Sequence, residues 1–360
     1  MLIRSYTLRF ITPAFLGNAE QSGQWRTPPI KALWRQWWRV AFAADQRGAV
    51  DVAAMRSVEA GLFGAAADAG SNKSQVRIRL NSWQPGKLKS WSGLEQAAVD
   101  HSEVKQTKSK VGPHAYLGYG PLDGRGGTQF GTKCHAAIQH NEEAVLSLAY
   151  PSSNAEAPHL SLALQLMNLY GTLGGRSRNG WGSFDLRPAD AATPQLPHAL
   201  HPRLTARWQG ALALDWPHAM GCDEGGPLIW QTEALADWKT VMRRLAEIKI
   251  GLRTHFKFPN HVQPPHAQPL QRHWLSYPVG RKHNVVGWKE GGAGGEFRLP
   301  NSLRFKVRIG DDGKLHGVIF HVPCRPPLKF NPNPSELEAV WQQVHDHLNH
   351  PAQRLTRIAA

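Results

Sequence analysis

The feature that most restricts the fold of this chain is an amphipathic segment rich in tryptophan near its start. Pro28 and Pro29 suit a first helical turn, and the apolar side chains that follow return at helical spacing. They are Ile30, Leu33, Trp34, Trp37, Trp38 and Ala41. The segment therefore predicts a helix with one broad apolar face, and the tryptophans on that face are expected in the core.

Other segments of the first half predict strands and helices around this helix. Leu8–Ile11 has strand character and ends at Thr12-Pro13, where pairing stops. Asp51 suits the N-cap of a second helix. The remaining predicted elements are a strand at 75–81, a hairpin of 134–140 with 144–150, a helix at 160–173 and a strand at 183–186. The first half is thus predicted as β-α-(α)-β-β-α-β.

The second half repeats this order in outline, without obvious sequence repetition. The proline-rich segment 188–202 is the best linker candidate and places a boundary near 190–203. Beyond it we predict a strand at 211–216, a helix at 232–250, a hairpin of 303–309 with 315–322, and a helix at 334–348. A chain of 360 residues is long enough for two domains. Long segments without periodicity, about 82–130 and 254–300, are predicted as insertions, the first as a mobile arm.

Composition indicates what kind of partner to expect. Lys and Arg number 42 against 27 Asp and Glu, which gives a net charge of +15 and favours a polyanionic partner, nucleic acid or an anionic membrane. Three separated cysteines suggest neither disulfides nor a local zinc site, and the eighteen histidines match no standard metal spacing. No apolar run approaches the roughly 18 residues of a membrane span, and no export signal begins the chain. We expect a cytoplasmic protein without a membrane partner, metal or cofactor.

Basic residues concentrate on one flank of the first predicted helix. Lys31, Arg35 and Arg39 recur every four residues, and Arg26 precedes them, with no acidic residue between Trp25 and Arg39. Such a row either tracks the phosphates of a nucleic acid or is a solvated helix surface. Both interpretations stay open from the residues alone.

Two further segments combine positive charge with aromatic rings. The glycine-rich run 171–182 holds Arg176, Arg178, Asn179 and Trp181, and its glycines would let backbone N–H groups approach phosphates. It lacks the GK[ST] of a P-loop, and a helix C-cap followed by a hairpin is the alternative. Segment 71–93 carries Arg77 and Arg79 on alternating strand positions, with Trp83 and Trp91 nearby. That pattern suits single-stranded nucleic acid, or else a solvated loop.

Three stretches in this order resemble the RAMP (repeat-associated mysterious protein) superfamily of CRISPR effector subunits. They are 10–17 (FITPAFLG), 27–39 (TPPIKALWRQWWR) and 174–184 (GGRSRNGWGSF), and Glu59–Gly64, which ends in Leu-Phe-Gly, matches a further landmark. The resemblance is closest to the first subunit of the Cmr-type, type III-B complex. Ala32 departs from it, since the family usually has glycine after the lysine.

The resemblance implies a fold and a function. The fold class is α+β, with two ferredoxin-like (RRM-related, βαββαβ) domains at 1–190 and 203–360. The implied function is an RNA-binding, non-catalytic subunit that captures target RNA and caps the guide–target assembly of a type III effector. Its partners would be guide RNA, target RNA, other RAMP subunits and a large polymerase-like subunit. Lys31, Arg35, Arg176 and Arg178 fall on matching motif positions.

Cleavage is the alternative function. Slicing relatives carry an Asp between the first strand and the first helix, whereas Glu20 is the only acid between Thr12 and Thr27. We therefore predict no catalytic residue, and keep metal-independent processing of guide RNA by a histidine as the alternative. The predicted RNA-binding set is Arg26, Lys31, Arg35, Arg39, Arg77, Arg79, Arg176, Arg178, Asn179 and Trp181. Within it, the positive side chains of the first helix and of the glycine-rich loop are expected to converge on one groove that holds an RNA strand.

Overall fold

A four-stranded antiparallel sheet forms the framework of each half of the chain. The structure is a computed structural model that describes residues 1–46, 49–65, 73–104, 109–124, 127–152, 156–259, 261–279, 282–288 and 297–358. Helices cover one face of each sheet, and the apolar side chains of strands and helices meet between these layers. The protein is therefore an α+β fold, as predicted.

The first sheet is built from strands that are far apart in sequence. In chain order the elements are β1 Leu2–Phe10, α1 Thr27–Asp45, α2 Val52–Phe63, β2 Arg77–Leu80, β3 Val99–Asp100, β4 Lys110–Val111, α3 Pro113–Gly118, β5 Leu122–Asp123, β6 Gln129–Phe130, β7 Glu143–Tyr150, α4 Ala157–Tyr170 and β8 Phe184–Pro188. The four main strands lie in the order β2-β7-β1-β8, and every neighbouring pair is antiparallel. Helices α1 and α4 pack side by side on the buried face of this sheet.

Helix α1 matches its prediction. Pro28 and Pro29 occupy the first turn, and Trp34, Trp37 and Trp38 are fully buried. The indole of Trp34 donates to the carbonyl of Leu160, 3.1 Å away, which ties α1 to α4. The tryptophans are core residues because a helix packed on both a sheet and a second helix needs large side chains to fill the space.

Two predictions in the first half are wrong. Segment 134–140 makes only isolated bridges, to Ser22, Leu88 and Ala14, because the edge of β7 predicted for it is taken by β1. The segment 82–130 is not a loose arm in its described part. Trp91 and Leu117 are almost fully buried there, and burial through non-local contacts leaves no sequence periodicity to detect. Residues 105–108 and 125–126 of that insertion lie outside the described part.

The second half has the same strand order. Its elements are β9 Thr205–Arg207, α5 Trp208–Ala211, β10 Met220–Asp223, β11 Gly226–Pro227, β12 Ile229–Thr232, α6 Trp238–His255, α7 Gln271–Leu275, β13 Leu303–Ile309, β14 Leu315–His321, α8 Pro334–Asn349 and β15 Leu355–Arg357. The main sheet runs β13-β14-β12-β15, again all antiparallel, and β11-β10-β9 form a small separate sheet.

The hairpin of β13 and β14 and the helix α8 confirm their predictions within one residue. Helix α6 is also present, but it begins six residues and ends five residues later than predicted, because Ile229–Thr232 forms a strand and Asp237 caps the helix. The strand predicted at 211–216 is wrong. Its start lies in α5 and its remainder is turn, while Ile229–Thr232 supplies the first strand of the sheet. Only four residues long, β12 carries too few apolar side chains to stand out in the sequence.

The glycine-rich loop between α4 and β8 joins the two halves. The backbone N–H of Phe305 on β13 donates to the carbonyl of Arg178 at 3.0 Å, and Asn179 bridges Phe305 in parallel register. The N–H of Val307 donates to the hydroxyl of Ser183 at 2.9 Å. The loop thus closes the free edge of β13, and the halves share buried contacts such as Trp37 with Phe320.

Two buried histidines lie between β14 and α8. Nδ1 of His321 and Nε2 of His345 are 3.0 Å apart, and Nε2 of His321 is 3.0 Å from the hydroxyl of Ser302. Burial lowers the pKa of His345 to about 3 and that of His321 well below its ordinary value. As the pH falls, such a histidine binds a proton in the unfolded chain before it does so in the folded protein. The free energy of unfolding therefore falls as the pH drops from about 6.5 towards 3.

We predict that the lowered pKa of His345 by itself decreases the free energy of unfolding by about 2 kcal/mol when the pH falls from about 7 to about 5. Urea unfolding at the two pH values measures this loss, and His345→Gln should reduce it by that amount. The matched control is His135→Gln, because His135 is exposed. An unchanged pH dependence in His345→Gln would show that the buried pair is not its source.

Candidate nucleic-acid interface

The basic row of α1 contacts α2 and the segment before β2. The ammonium of Lys31 donates to the hydroxyl of Ser74 at 3.0 Å. Arg35 and Arg39 both donate to the carboxylate of Glu59, Arg39 through two hydrogen bonds of 2.7 Å and Arg35 through Nε. Burial, and then the charge of Arg35, lower the pKa of Lys31. The row is held in place by α2.

Glu59 was not predicted as a partner of this row, although it lies in the Leu-Phe-Gly landmark. Its side chain is only 2% exposed, whereas those of Arg35 and Arg39 are 42% and 38% exposed. One carboxylate therefore orients two guanidinium groups and neutralises one of their charges. The outer edges of both arginines still face solvent, so the row keeps donors for an anion.

The other predicted cations of the first half are spread over its surface. Arg26 precedes α1 and donates through Nη1 to the carbonyl of Gly17 at 2.8 Å. Arg77 and Arg79 are exposed on the edge strand β2, opposite Ala149 and Ser147. They lie on the face of the sheet that α1 and α4 leave uncovered.

The glycines of the loop serve close backbone packing. A Cβ at Gly182 would lie 1.8 Å from the carbonyl oxygen of Leu173, and one at Gly174 would lie 2.7 Å from that of Phe15. Both glycines also have positive φ angles, 66° and 96°. Arg176 itself adopts a φ of 55° and is exposed. The side chain of Arg176 therefore faces solvent, while the two ends of the loop pack closely against the backbone of Phe15 and Leu173.

Three neighbours of Arg176 have structural contacts. Trp181 is fully buried against Phe15 and Trp91, so it has no free face for a base, and the predicted stacking role is wrong. Asn179 donates from its amide to the carbonyl of Leu117 at 2.7 Å, which uses that side chain within the fold. Arg178 is partly buried, and burial lowers its pKa.

The expected convergence of the helix row with the loop is also wrong. Leu33 approaches the start of the loop, since a Cβ at Gly171 would lie 3.0 Å from its Cδ2. Leu33 is roughly 160° around the helix from Lys31, at about 100° per residue. The row and the loop therefore occupy opposite flanks of α1, and no contact joins them in the described ranges.

The loop instead meets cations of the second half, which the sequence analysis missed. The ammonium of Lys249 on α6 donates to Oδ1 of Asn179 at 2.6 Å, and Arg253 follows one turn later. Burial, then Arg253 and Arg176, lower the pKa of Lys249 to about 7. The i, i+4 spacing of Lys249 and Arg253 equals that of Lys31 and Arg35, and it is the signal that could have identified them.

Glu20 is exposed, and its carboxylate accepts from the amide of Asn18 at 3.2 Å. Among the described residues, no group of three or more His, Cys, Asp or Glu side chains could hold a metal ion.

None of the described helices is both long and apolar enough to cross a membrane.

Comparison with known proteins gives one family. The sequence model of the RAMP superfamily matches residues 7–185. No curated protein matches the chain. The crystal structure of Cmr1 from Pyrococcus furiosus in its apo form is similar over 95% of this chain and 97% of its own, with 15% identity and a TM-score of 0.47. A chain in a cryo-EM structure of the type III-B Cmr-beta bound to cognate target RNA and AMPPnP, in the presence of ssDNA, is also similar. The similarity covers 95% of this chain and 99% of that chain, with 13% identity and a TM-score of 0.49.

We predict that Trp181→Ala lowers the unfolding free energy by about 3–5 kcal/mol, because it empties a fully buried site. Urea unfolding monitored by circular dichroism measures the change. Trp83→Ala is the matched control, since Trp83 is 54% exposed and its loss should cost less than about 1 kcal/mol. Equal effects of the two substitutions would contradict the assignment of Trp181 to the core.

Proposed function

Since the chain belongs, through residues 7–185, to the RAMP superfamily, we propose that it is an RNA-binding, non-catalytic subunit of a type III CRISPR effector. In this proposal it captures target RNA and caps the guide–target assembly. Guide RNA, target RNA, other RAMP subunits and a large polymerase-like subunit are its proposed partners, in the cytoplasm. The Cmr-type assignment is supported by the motifs at 10–17, 27–39 and 174–184.

The strand orders support two ferredoxin-like domains. Numbered along the chain within each half, the four main strands lie in the order 2-3-1-4 in both sheets, with a helical connection after the first and third. This is the split β-α-β arrangement of ferredoxin-like folds. We propose domains at 1–190 and 203–360, with insertions at about 82–130 and 254–300.

The observation that carries the RNA-binding proposal is the uncompensated positive charge around the glycine-rich loop. Arg176 lies on the loop, Lys249 of α6 donates to Asn179 of the loop at 2.6 Å, and Arg253 lies one turn further along α6. A buried cation is costly unless an anion or several hydrogen bonds compensate it. Phosphate groups of a nucleic acid supply that compensation, and the net charge of +15 favours their approach.

The absence of catalysis is supported by the state of the buried histidines. Burial lowers the pKa of His114 and His273 to about 4 and that of His345 to about 3. These three imidazoles are buried, at 1%, 0% and 1% exposed, so the 2′-hydroxyl of an RNA strand cannot reach them. Glu20 is exposed and bonded to a neighbouring amide, so no second group beside it prepares it as a base.

Binding to fluorescent single-stranded RNA, measured between about 50 and 200 mM salt, tests the proposal. Wild-type protein should bind with an affinity that falls steeply with salt, and Arg176→Ala, which removes the exposed cation of the loop, should lower the log–log slope by about 0.7. Lys314→Gln, which removes an exposed cation from the turn between β13 and β14, is the control and should leave the slope unchanged.

The same RNA incubated with protein and EDTA tests for cleavage, and it should remain intact. Cleavage by the purified protein would instead support the alternative, metal-independent processing of guide RNA. Wild-type protein that fails to bind single-stranded RNA at low salt would contradict the proposed function itself.

A further inference from the structure

The two main sheets of the chain are covered differently. Helices α6 and α8 pack on one face of β13-β14-β12-β15, in a core that contains Phe305 and Ile319. The other face of this sheet lies against α1 and α4, where the ring centre of Phe320 is 6.5 Å from that of Trp37 and 5.1 Å from that of Tyr170. In the part of the chain that the structure describes, only one face of the first sheet, β2-β7-β1-β8, bears helices. We call its other face the open face.

The contact of α1 and α4 with the second sheet shows how such a face holds a helical layer. Strand β13 lies at the edge of that sheet, and its alternate residues Arg304 and Lys306 point towards the two helices. The guanidinium of Arg304 lies 5.8 Å from the ring centre of Trp37 on α1. The ammonium of Lys306 donates to the carbonyl of Asn168 on α4 at 2.6 Å. Aromatic rings and acceptor oxygens of the helices thus satisfy the cations of the edge strand.

Strand β2 holds the same edge position in the first sheet, and it also carries cations at alternate residues. The strand orders β2-β7-β1-β8 and β13-β14-β12-β15 are equivalent, so β2 corresponds to β13. Arg77 and Arg79 are exposed on the open face, opposite Ala149 and Ser147 of β7. Neither arginine forms an ion pair or a ring contact with any residue that the structure describes. Their guanidinium groups therefore lack the partners that the cations of β13 have.

The centre of the open face is uncharged. Its outward side chains on β1 and β7 pair as Ile3 with Ala149, Ser5 with Ser147 and Thr7 with Val145. Ile3 is 63% exposed, and none of the six side chains is buried. When an antiparallel sheet leaves one face in water, that face is usually polar. An exposed isoleucine opposite an alanine therefore indicates a surface that another molecule covers.

Nucleic acid is the other class of partner for an open sheet of this topology. Sheets that bind single-stranded RNA in this way stack its bases on aromatic side chains of the sheet. The aromatic side chains of the four strands all point into the core instead, and they are Tyr6, Phe10, Tyr150 and Phe184. The open face offers no ring to a base, so it fits a protein better than an RNA strand.

We propose that the open face binds a pair of packed helices from a neighbouring subunit, as the second sheet binds α1 and α4. The helices place small apolar side chains over β1 and β7, and they place aromatic rings and acceptor oxygens opposite Arg77 and Arg79. This inference rests on the proposed function, since it takes the neighbour to be another RAMP subunit of the same effector. It names the face through which the chain is joined to that neighbour.

Cysteine labelling of the assembled complex tests this inference. Ser147→Cys places a thiol at the centre of the open face, where N-ethylmaleimide should label it in the free chain. After assembly with guide RNA and the other RAMP subunits of the same genome, labelling at position 147 should slow about tenfold, because a closely packed interface excludes the reagent. Lys314→Cys, in the exposed turn between β13 and β14, is the matched control and should keep its rate. Peptide mass spectrometry separates these positions from the native cysteines.

Charge reversal on the edge strand tests the role of the cations. Arg79→Glu should weaken binding of the chain to the rest of the complex about tenfold, because acceptor oxygens of the partner would then face a carboxylate. Lys314→Glu makes the same change in charge outside the open face and should stay within about twofold of wild type. Surface plasmon resonance measures both, and circular dichroism verifies that each variant is folded. Equal effects of the two reversals would contradict the proposed docking.

Each alternative occupant of the open face gives its own labelling result. An unchanged rate at position 147 in the complex would overturn this inference and leave the proposed function standing. Protection by single-stranded RNA alone would overturn it in favour of nucleic acid. Protection that grows with the concentration of the free chain would overturn it in favour of a second copy. Failure of the wild type to join the complex would remove the proposed function, and this inference with it.

Discussion

The pairing of the glycine-rich loop with the edge of β13 is the interaction on which the rest of the structure depends. Through it a turn of the first half pairs with the edge strand of the second sheet, because the backbone N–H of Phe305 donates to the carbonyl of Arg178. In the same turn, Oδ1 of Asn179 accepts a hydrogen bond from the ammonium of Lys249. The glycines on both sides of Arg176 have a separate cause, because a Cβ at Gly174 would meet the carbonyl oxygen of Phe15 and one at Gly182 would meet that of Leu173. The same pairing brings cations from both halves to one place.

Positive charge inside the junction is a cost that the fold compensates only in part. Lys306 is fully buried, with a 2.6 Å hydrogen bond to the carbonyl of Asn168. Arg304 is 7% exposed, its guanidinium lies 5.8 Å from the ring centre of Trp37, and burial lowers its pKa to about 9. Backbone carbonyls and aromatic faces take the place of carboxylates around these two buried groups, and burial lowers the pKa of Lys306 well below its ordinary value.

Sequence alone predicted the elements whose signals are local. Helix α1 and the hairpin of β13 and β14 could be predicted because their apolar residues recur at the period of the element itself. The motif at 174–184 contributed to the prediction of the family, and the arginine at its centre, Arg176, is exposed.

What the sequence could not predict depends on distant partners. In the sequence, Trp181 has the pattern of a stacking residue, but in the fold its ring packs against Phe15 and Trp91. Glu59 has no distinctive sequence signal, because its role comes from the packing of α2, which places its carboxylate beside two arginines. The role of Lys249 likewise appears only when α6 packs against a loop some seventy positions earlier in the chain. Such contacts follow from the topology of both sheets, which no single segment encodes.

Photocrosslinking is the most direct test of the claim that the junction of the two halves holds RNA. A single-stranded RNA carrying 4-thiouridine would be irradiated on the full chain, and the crosslinked peptides identified by mass spectrometry. The account predicts crosslinks to peptides that contain the loop at Arg176 or the second half of α6. Crosslinks confined to α1, α2 and β2 would contradict it and place the RNA on the opposite flank of the first half.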